Sequence, residues 1–143
     1  MDAEALIRRL RGLEPKSQRR WGTMSPHEML CHLADAFKGT MGERPFVPAS
    51  TWFSRHVIKR IALHTPMRWP PGVPTRPEFD QKLQGTRPAV FEADRETASE
   101  LIRRFAAPDA HYTSHPVFGV MTREEWLTWG ERHVDHHLRQ FGL

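Results

Sequence analysis

Between Ala3 and Leu13 the apolar positions Leu6, Ile7, Leu10 and Leu13 recur at three- and four-residue intervals, placing them on one face of a short amphipathic helix. The next periodic run spans about residues 26–41. Ser25 is its N-cap, Pro26 suits the first helical position, and Glu28 completes a capping box. Gly42 stands just past the end, where a left-handed residue closes many helices. A third helix is expected over about residues 50–64, with Trp52, Phe53, Val57 and Ile61 as its stripe and Pro66 as its stop. A fourth runs from Asp94 to about Ala107 and is ended by Pro108. The last starts at Thr122, with Glu125 completing a second capping box, and reaches about Phe141. The intervening stretch HYTSHPVFGVM is a connection.

Residues 65–93 interrupt this periodicity. Pro66, Pro70, Pro71, Pro74, Pro77 and Pro88, half of the twelve prolines in the chain, fall here. Such a density excludes regular helix and favours an extended segment lying over the body. A loop of this length in a compact domain is usually functional or disordered. Trp69, Val73, Phe79, Val90 and Phe91 are the side chains expected to hold it down as an ordered cover. Five helical segments with no strand and no repeat define an all-α bundle in a single domain, residues 1–143.

Composition narrows the function classes. The chain of 143 residues is 38% hydrophobic and 27% charged, and its five Trp and eight Phe supply large anchors for a core. No apolar run approaches the roughly 20 residues that cross a bilayer. The opening MDAEALIRRLRGL has no signal-peptide core, and one cysteine, Cys31, forbids an internal disulfide, so a cytoplasmic location is expected. A net charge of +4 raises the question of nucleic acid. The arginines are scattered among acidic residues without forming a stripe, and a solvated surface is the better reading.

Nine histidines make spacing alone a weak guide. Two i,i+4 pairs occur, His111/His115 and His133/His137. Pro116 breaks the helix that would align the first. Within the last helix, at about 100° per residue, His133 and His137 fall in the middle of the apolar face. His136 is at its rim, and the charged positions occupy the opposite side. Buried imidazoles need polar partners, and two of them one turn apart can share a metal or be satisfied separately by the core. On the Ser25-capped helix, His32 lies between the apolar arc and the acidic pair Glu28 and Asp35, and is the natural third ligand. His27 is expected in water. Cys31 projects about 100° from its neighbour His32, which argues for a half-buried small residue and against a Cys–His catalytic pair. A helical metalloprotease motif is excluded because Val134, and not Glu, follows His133.

The segments RWGTMSPHEMLCHLADAF and HPVFGVMTREEWLTWGERHVDHHLRQFG resemble the DinB/YfiT-like superfamily. The likeness is greatest to a branch of small bacterial proteins carrying WGxMS…H and HPxFG…EEW…HxDHHLxQFG, and it extends from about Trp21 to Gly142. It implies an up-down-down-up four-helix bundle, here with an extra short N-terminal helix and the long Pro-rich connection, often as a homodimer. It also implies a divalent metal, zinc or nickel before iron or manganese, held by His32, His133 and His137. The known activities in the superfamily include transfer dependent on low-molecular-weight thiols and maleylpyruvate isomerisation. Relatives of known activity often end in HHRGQ, whereas His136-His137-Leu138-Arg139-Gln140 lacks that glycine, so their detailed chemistry does not carry over. The expectation is a metal-dependent enzyme acting on a small molecule with help from a small thiol. The rival is a metal-binding protein without turnover. His136 and Gln140 are candidates for supporting roles.

Overall fold

A computed structural model describes residues 1–143, and its regular structure is helical without a strand. The order is α1 (Ala3–Leu10), α2 (Pro26–Thr40), a π-helical turn (Ser54–Ile58) running into α3 (Lys59–His64), a 3-10 turn (Pro77–Phe79), α4 (Phe91–Ala106) and α5 (Arg123–Gln140). No helix is long and apolar enough to cross a membrane.

Helix starts follow side-chain chemistry. Ser25 Oγ accepts from Glu28 N at 3.1 Å while Glu28 Oε2 accepts from Ser25 N at 2.7 Å. Thr122 and Glu125 repeat this reciprocal cap on α5. Each box satisfies two of the amides that a helix start leaves without an intrahelical partner. Both caps stand where the sequence put them. The α4 start is three residues earlier than expected, at Phe91, because Asp94 folds back to accept from Ala89 N at 3.0 Å inside the first turn.

Contacts between helix pairs set their directions. Glu4 meets Arg103 while Leu13 O receives Arg95, so α1 and α4 run antiparallel. His27 faces Asp94 and Phe37 packs on Phe105, so α2 and α4 run parallel. His32 lies beside His137 and Phe37 beside Trp129, which makes α2 and α5 antiparallel. Met1 pairs with Glu131 and Arg9 with Asp135, so α1 runs along α5.

The core between these helices centres on Phe105, with Phe37, Tyr112, Trp126 and Trp129 around its ring. A Cβ at Gly130 would stand 2.5 Å from Phe105 Cε1, so glycine is what lets α5 approach α4 this closely. Leu6, Ile7, Leu10 and Leu13 are all buried here. The N-terminal helix is therefore part of the core and not the accessory piece expected. The HPVFG stretch closes as a tight loop. His115 and Gly119 exchange two backbone hydrogen bonds, and His115 Nδ1 accepts from the amides of Val117 and Phe118.

Two packing expectations fail. Trp52 and Phe53 are 65% and 56% exposed, and Ser54 and Leu63 are the buried positions of their segment. Ser54 Oγ donates to Val117 O at 2.7 Å, which turns Ser54 to the body and leaves the two preceding residues facing away from it. In the Pro-rich connection Phe79 is buried and Trp69 and Phe91 are partly so, but Val73 and Val90 are exposed. Polar contacts fasten that segment more than apolar ones do.

Phe105 is fully buried among aromatic rings that cannot collapse into its place. Phe105→Ala is expected to cost about 3–5 kcal/mol, read as a lower urea midpoint with an unchanged slope.

Candidate metal centre

His133 and His137 lie one turn apart on the buried side of α5, and His32 faces them from α2. One ring nitrogen of each lies within 4.8 Å of the other two, and His32 Nε2 is 3.1 Å from His133 Nε2. All three rings are buried. Burial holds the His32 pKa below its ordinary value and those of His133 and His137 well below it, with neighbouring rings adding repulsion at the latter two. The cluster is consequently made of neutral imidazoles, the form that donates a lone pair.

Hydrogen bonds on the far side of two rings determine where their protons sit. His32 Nδ1 is 2.9 Å from Phe79 O. A carbonyl only accepts, so Nδ1 carries the hydrogen and Nε2 presents its lone pair to the cluster. His137 Nδ1 is 3.1 Å from Gln140 Oε1, whose amide nitrogen donates to Trp21 O at 3.0 Å. That amide orientation again leaves Nε2 as the free acceptor. His133 Nδ1 is buried with no hydrogen-bond partner. The Phe37, Trp69 and Trp129 rings wall His133.

The Pro-rich segment is tied across this centre through Asp35, one turn beyond His32. Asp35 is fully buried and accepts from Gln81 Nε2, Thr86 N and Thr86 Oγ1, with Arg44 at 3.2 Å. Together with Phe79 O on His32, these bonds place residues 72–75 and 80–82 along one wall of a cavity of about 370 Å³. His136, His137, Gln140, Trp21 and Glu28 contribute to its other walls and rim. Trp21 Nε1, His136 Nδ1 and Gln81 Oε1, all on residues of this lining, are buried without a partner in the protein.

The structure brings His32, His133 and His137 together, with Gln140 bonded to His137 and His136 packed between Trp21 and Trp69. His111 and His115 form no such pair. Three expectations are corrected. His27 is not in water but half-buried against Asp94, because α4 runs alongside that face of α2. Cys31 is fully and not half buried, for the same reason. Asp35, read as a polar-side residue, is interior because the connection folds over it. The Phe79 carbonyl was beyond sequence reasoning, since a backbone acceptor leaves no trace in residue type. Asp35 did carry a signal, an acid beside the face that bears His32.

These features define an all-helical chain with a buried three-histidine cluster opening onto a polar cavity. Residues 1–142 match the model of a family described as "Protein of unknown function (DUF1569)", and the chain belongs to that family. No curated protein and no solved structure matches it.

The neutral rings imply a pH dependence for the metal-free protein. The His115 pKa is lowered to about 3 by burial, and His32, His133 and His137 also fall below the ordinary 6.5. In the unfolded chain all four protonate near 6.5, so below that pH the unfolded state binds more protons and stability is lost as pH falls. Each ring contributes up to about 1.4 kcal/mol per pH unit. Thermal unfolding should show a steep drop in Tm from pH 6.5 to about 5, well above the range where carboxylates respond. A flat Tm there would contradict the buried neutral state.

Proposed function

We propose that this protein is a metal-dependent enzyme built on an up-down-down-up four-helix bundle of the DinB/YfiT-like kind. His32, His133 and His137 hold one divalent cation, zinc or nickel, with iron or manganese as alternatives. The reaction is group transfer to a small-molecule substrate with a low-molecular-weight thiol. The bundle reading is supported by the pairwise helix directions, which are self-consistent for α1 up, α2 down, α4 down and α5 up. In this assignment α1 is one of the four helices, and the π/α3 segment is the addition.

One observation carries the metal reading. Two imidazoles have their far nitrogens committed to acceptors, Phe79 O and Gln140 Oε1, and turn unprotonated Nε2 atoms toward the same point. Such outer partners are what orient histidine ligands and select their tautomer. The single Nε2 hydrogen that His133 can offer satisfies only one of these two lone pairs, that of His32 at 3.1 Å; the other stays unpaired in a buried site, which is unfavourable, and a cation would satisfy both. The donor set suits it, since three neutral nitrogens match a borderline cation of the zinc–nickel series.

An ion held by three imidazoles keeps a coordination position open and lowers the pKa of a water or thiol bound there. The chain's own residues supply the rest. His137 also lines the cavity, so an ion held by the three rings would be reached from that side. Gln140 holds the His137 ring and fixes its proton on Nδ1. Trp69 and Phe37 keep water from the back of the cluster. His136 Nδ1 and Trp21 Nε1, without protein partners, offer hydrogen bonds to a polar ligand. A cavity of this size with a polar lining suits turnover of a small hydrophilic molecule better than a sealed structural staple.

Zinc or nickel titration of the purified chain should show one equivalent more than His137→Ala binds. Equal stoichiometry would overturn the assignment. Gln140→Ala should keep the site and weaken its metal affinity by about 10–100-fold. Assay of the loaded protein against a panel of small thiols and electrophilic substrates then separates an enzyme from a binding protein, because only the former loses turnover with His137→Ala.

A further inference from the structure

A second group of ligating side chains lies between α2 and α4, remote in chemistry from the three-histidine cluster. His27 and Cys31 are one turn apart on α2, and Asp94 comes from the first turn of α4. One ligating atom of each falls within 4.8 Å of the other two. His27 Nε2 is 2.6 Å from Asp94 Oδ2, and the Cys31 sulfur lies within 4.8 Å of both side chains. The set is held from behind. Phe91 packs edge-on against the His27 ring at 5.3 Å, and Ala89 N donates to Asp94 at 3.0 Å. Cys31 is 2% exposed, whereas the His27 and Asp94 side chains are 24% and 21% exposed. The sulfur is thus the buried floor, and the imidazole and carboxylate form a rim open to solvent.

We propose that His27, Cys31 and Asp94 form a second metal site, taking a thiolate-seeking divalent cation of the zinc class with water in its fourth position. The donor types carry the choice of ion. Sulfur with imidazole and carboxylate oxygen is a borderline-soft set that favours zinc, cobalt and cadmium over magnesium or calcium. Their placement carries the geometry. Two ligands one turn apart on a single helix are pre-aligned, and the third arrives from a helix packed parallel to it. Metal–ligand bonds of about 2.0–2.3 Å require tetrahedral donor separations of roughly 3.3–3.8 Å. The His27–Asp94 contact therefore has to open by roughly 1 Å, within the reach of two half-exposed side chains. On binding, the thiol proton leaves to solvent, Asp94 binds as a carboxylate, and His27 binds through Nε2, the hydrogen facing Asp94 being given up and the ring keeping one hydrogen on Nδ1. The cation takes the central place that hydrogens fill in the metal-free state. It would pin the start of α4 to α2 and so support the seam on the far side of His32.

The chain's single cysteine makes the test unambiguous. Reduced full-length protein is titrated with Co²⁺ while the near-ultraviolet spectrum is followed. A thiolate-to-cobalt charge-transfer band is expected that saturates at one equivalent. The three-histidine cluster has no sulfur and cannot produce such a band. Cys31→Ser should abolish it while leaving the visible absorption of cobalt bound at the histidines. His27→Gln and Asp94→Asn should each weaken the Co²⁺ affinity of the band by about tenfold or more. Absence of the band from folded wild-type protein at cobalt excess would overturn the proposal and leave the three residues a hydrogen-bonded staple. The wild-type spectrum decides this alone, whatever the variants do to folding.

Discussion

Three imidazoles in a dry seam between α2 and α5 impose the constraint around which the rest is arranged. Away from water a polar ring must be paired or else pay a desolvation penalty, commonly of the order of 1–3 kcal/mol for each unsatisfied group. Here the burial also forces neutrality. Two rings are then satisfied from behind, one by a helix side chain and one by a backbone carbonyl from the connection. On the cluster side the ring nitrogens face one another, with His32 Nε2 and His133 Nε2 3.1 Å apart. Aromatic rings pack around His133, and the Phe105 packing beneath them fixes the spacing of α5 from α4.

Much of this was legible in the chain. Both capping boxes, the burial of His133 and His137 and the near-core position of His32 followed from helical periodicity and from the rule that buried polar groups need partners. Local signals are reliable there because each cap or face is decided within about one turn of helix. The places that were misread all depend on distant contacts. Periodicity points Trp52 and Phe53 inward, but it is Ser54 that turns to the body, through its bond to the carbonyl of Val117, 63 residues on. His27, Cys31 and Asp35 were assigned by their angle on α2 alone. Their burial comes from α4 and from the connection, which are 46 to 67 residues away in the chain for the bonds concerned. An angle on one helix cannot report which neighbours will cover it.

Asp35 shows how the two layers meet. Its carboxylate collects donors from Gln81, Thr86 and Arg44, so the connection is fastened one turn from His32 on the same helix. Asp35 and Asp80 also place negative charge near the His32 ring, which partly offsets the effect of burial on it. Cover and cluster thus share one electrostatic neighbourhood, and displacement of the cover would alter both the shape of the cavity and the basicity of a ring inside it.

The bond from His32 to the Phe79 carbonyl has a consequence for how such a chain can change over time. The partner that orients this ring is main chain, so residue 79 itself need only preserve the local path and fill its apolar site. Substitutions along the cover can remodel the cavity wall while the orientation of His32 stays intact. The helices hold the three rings, and the proline-rich strap shapes the space beside them, so the two can change independently of one another.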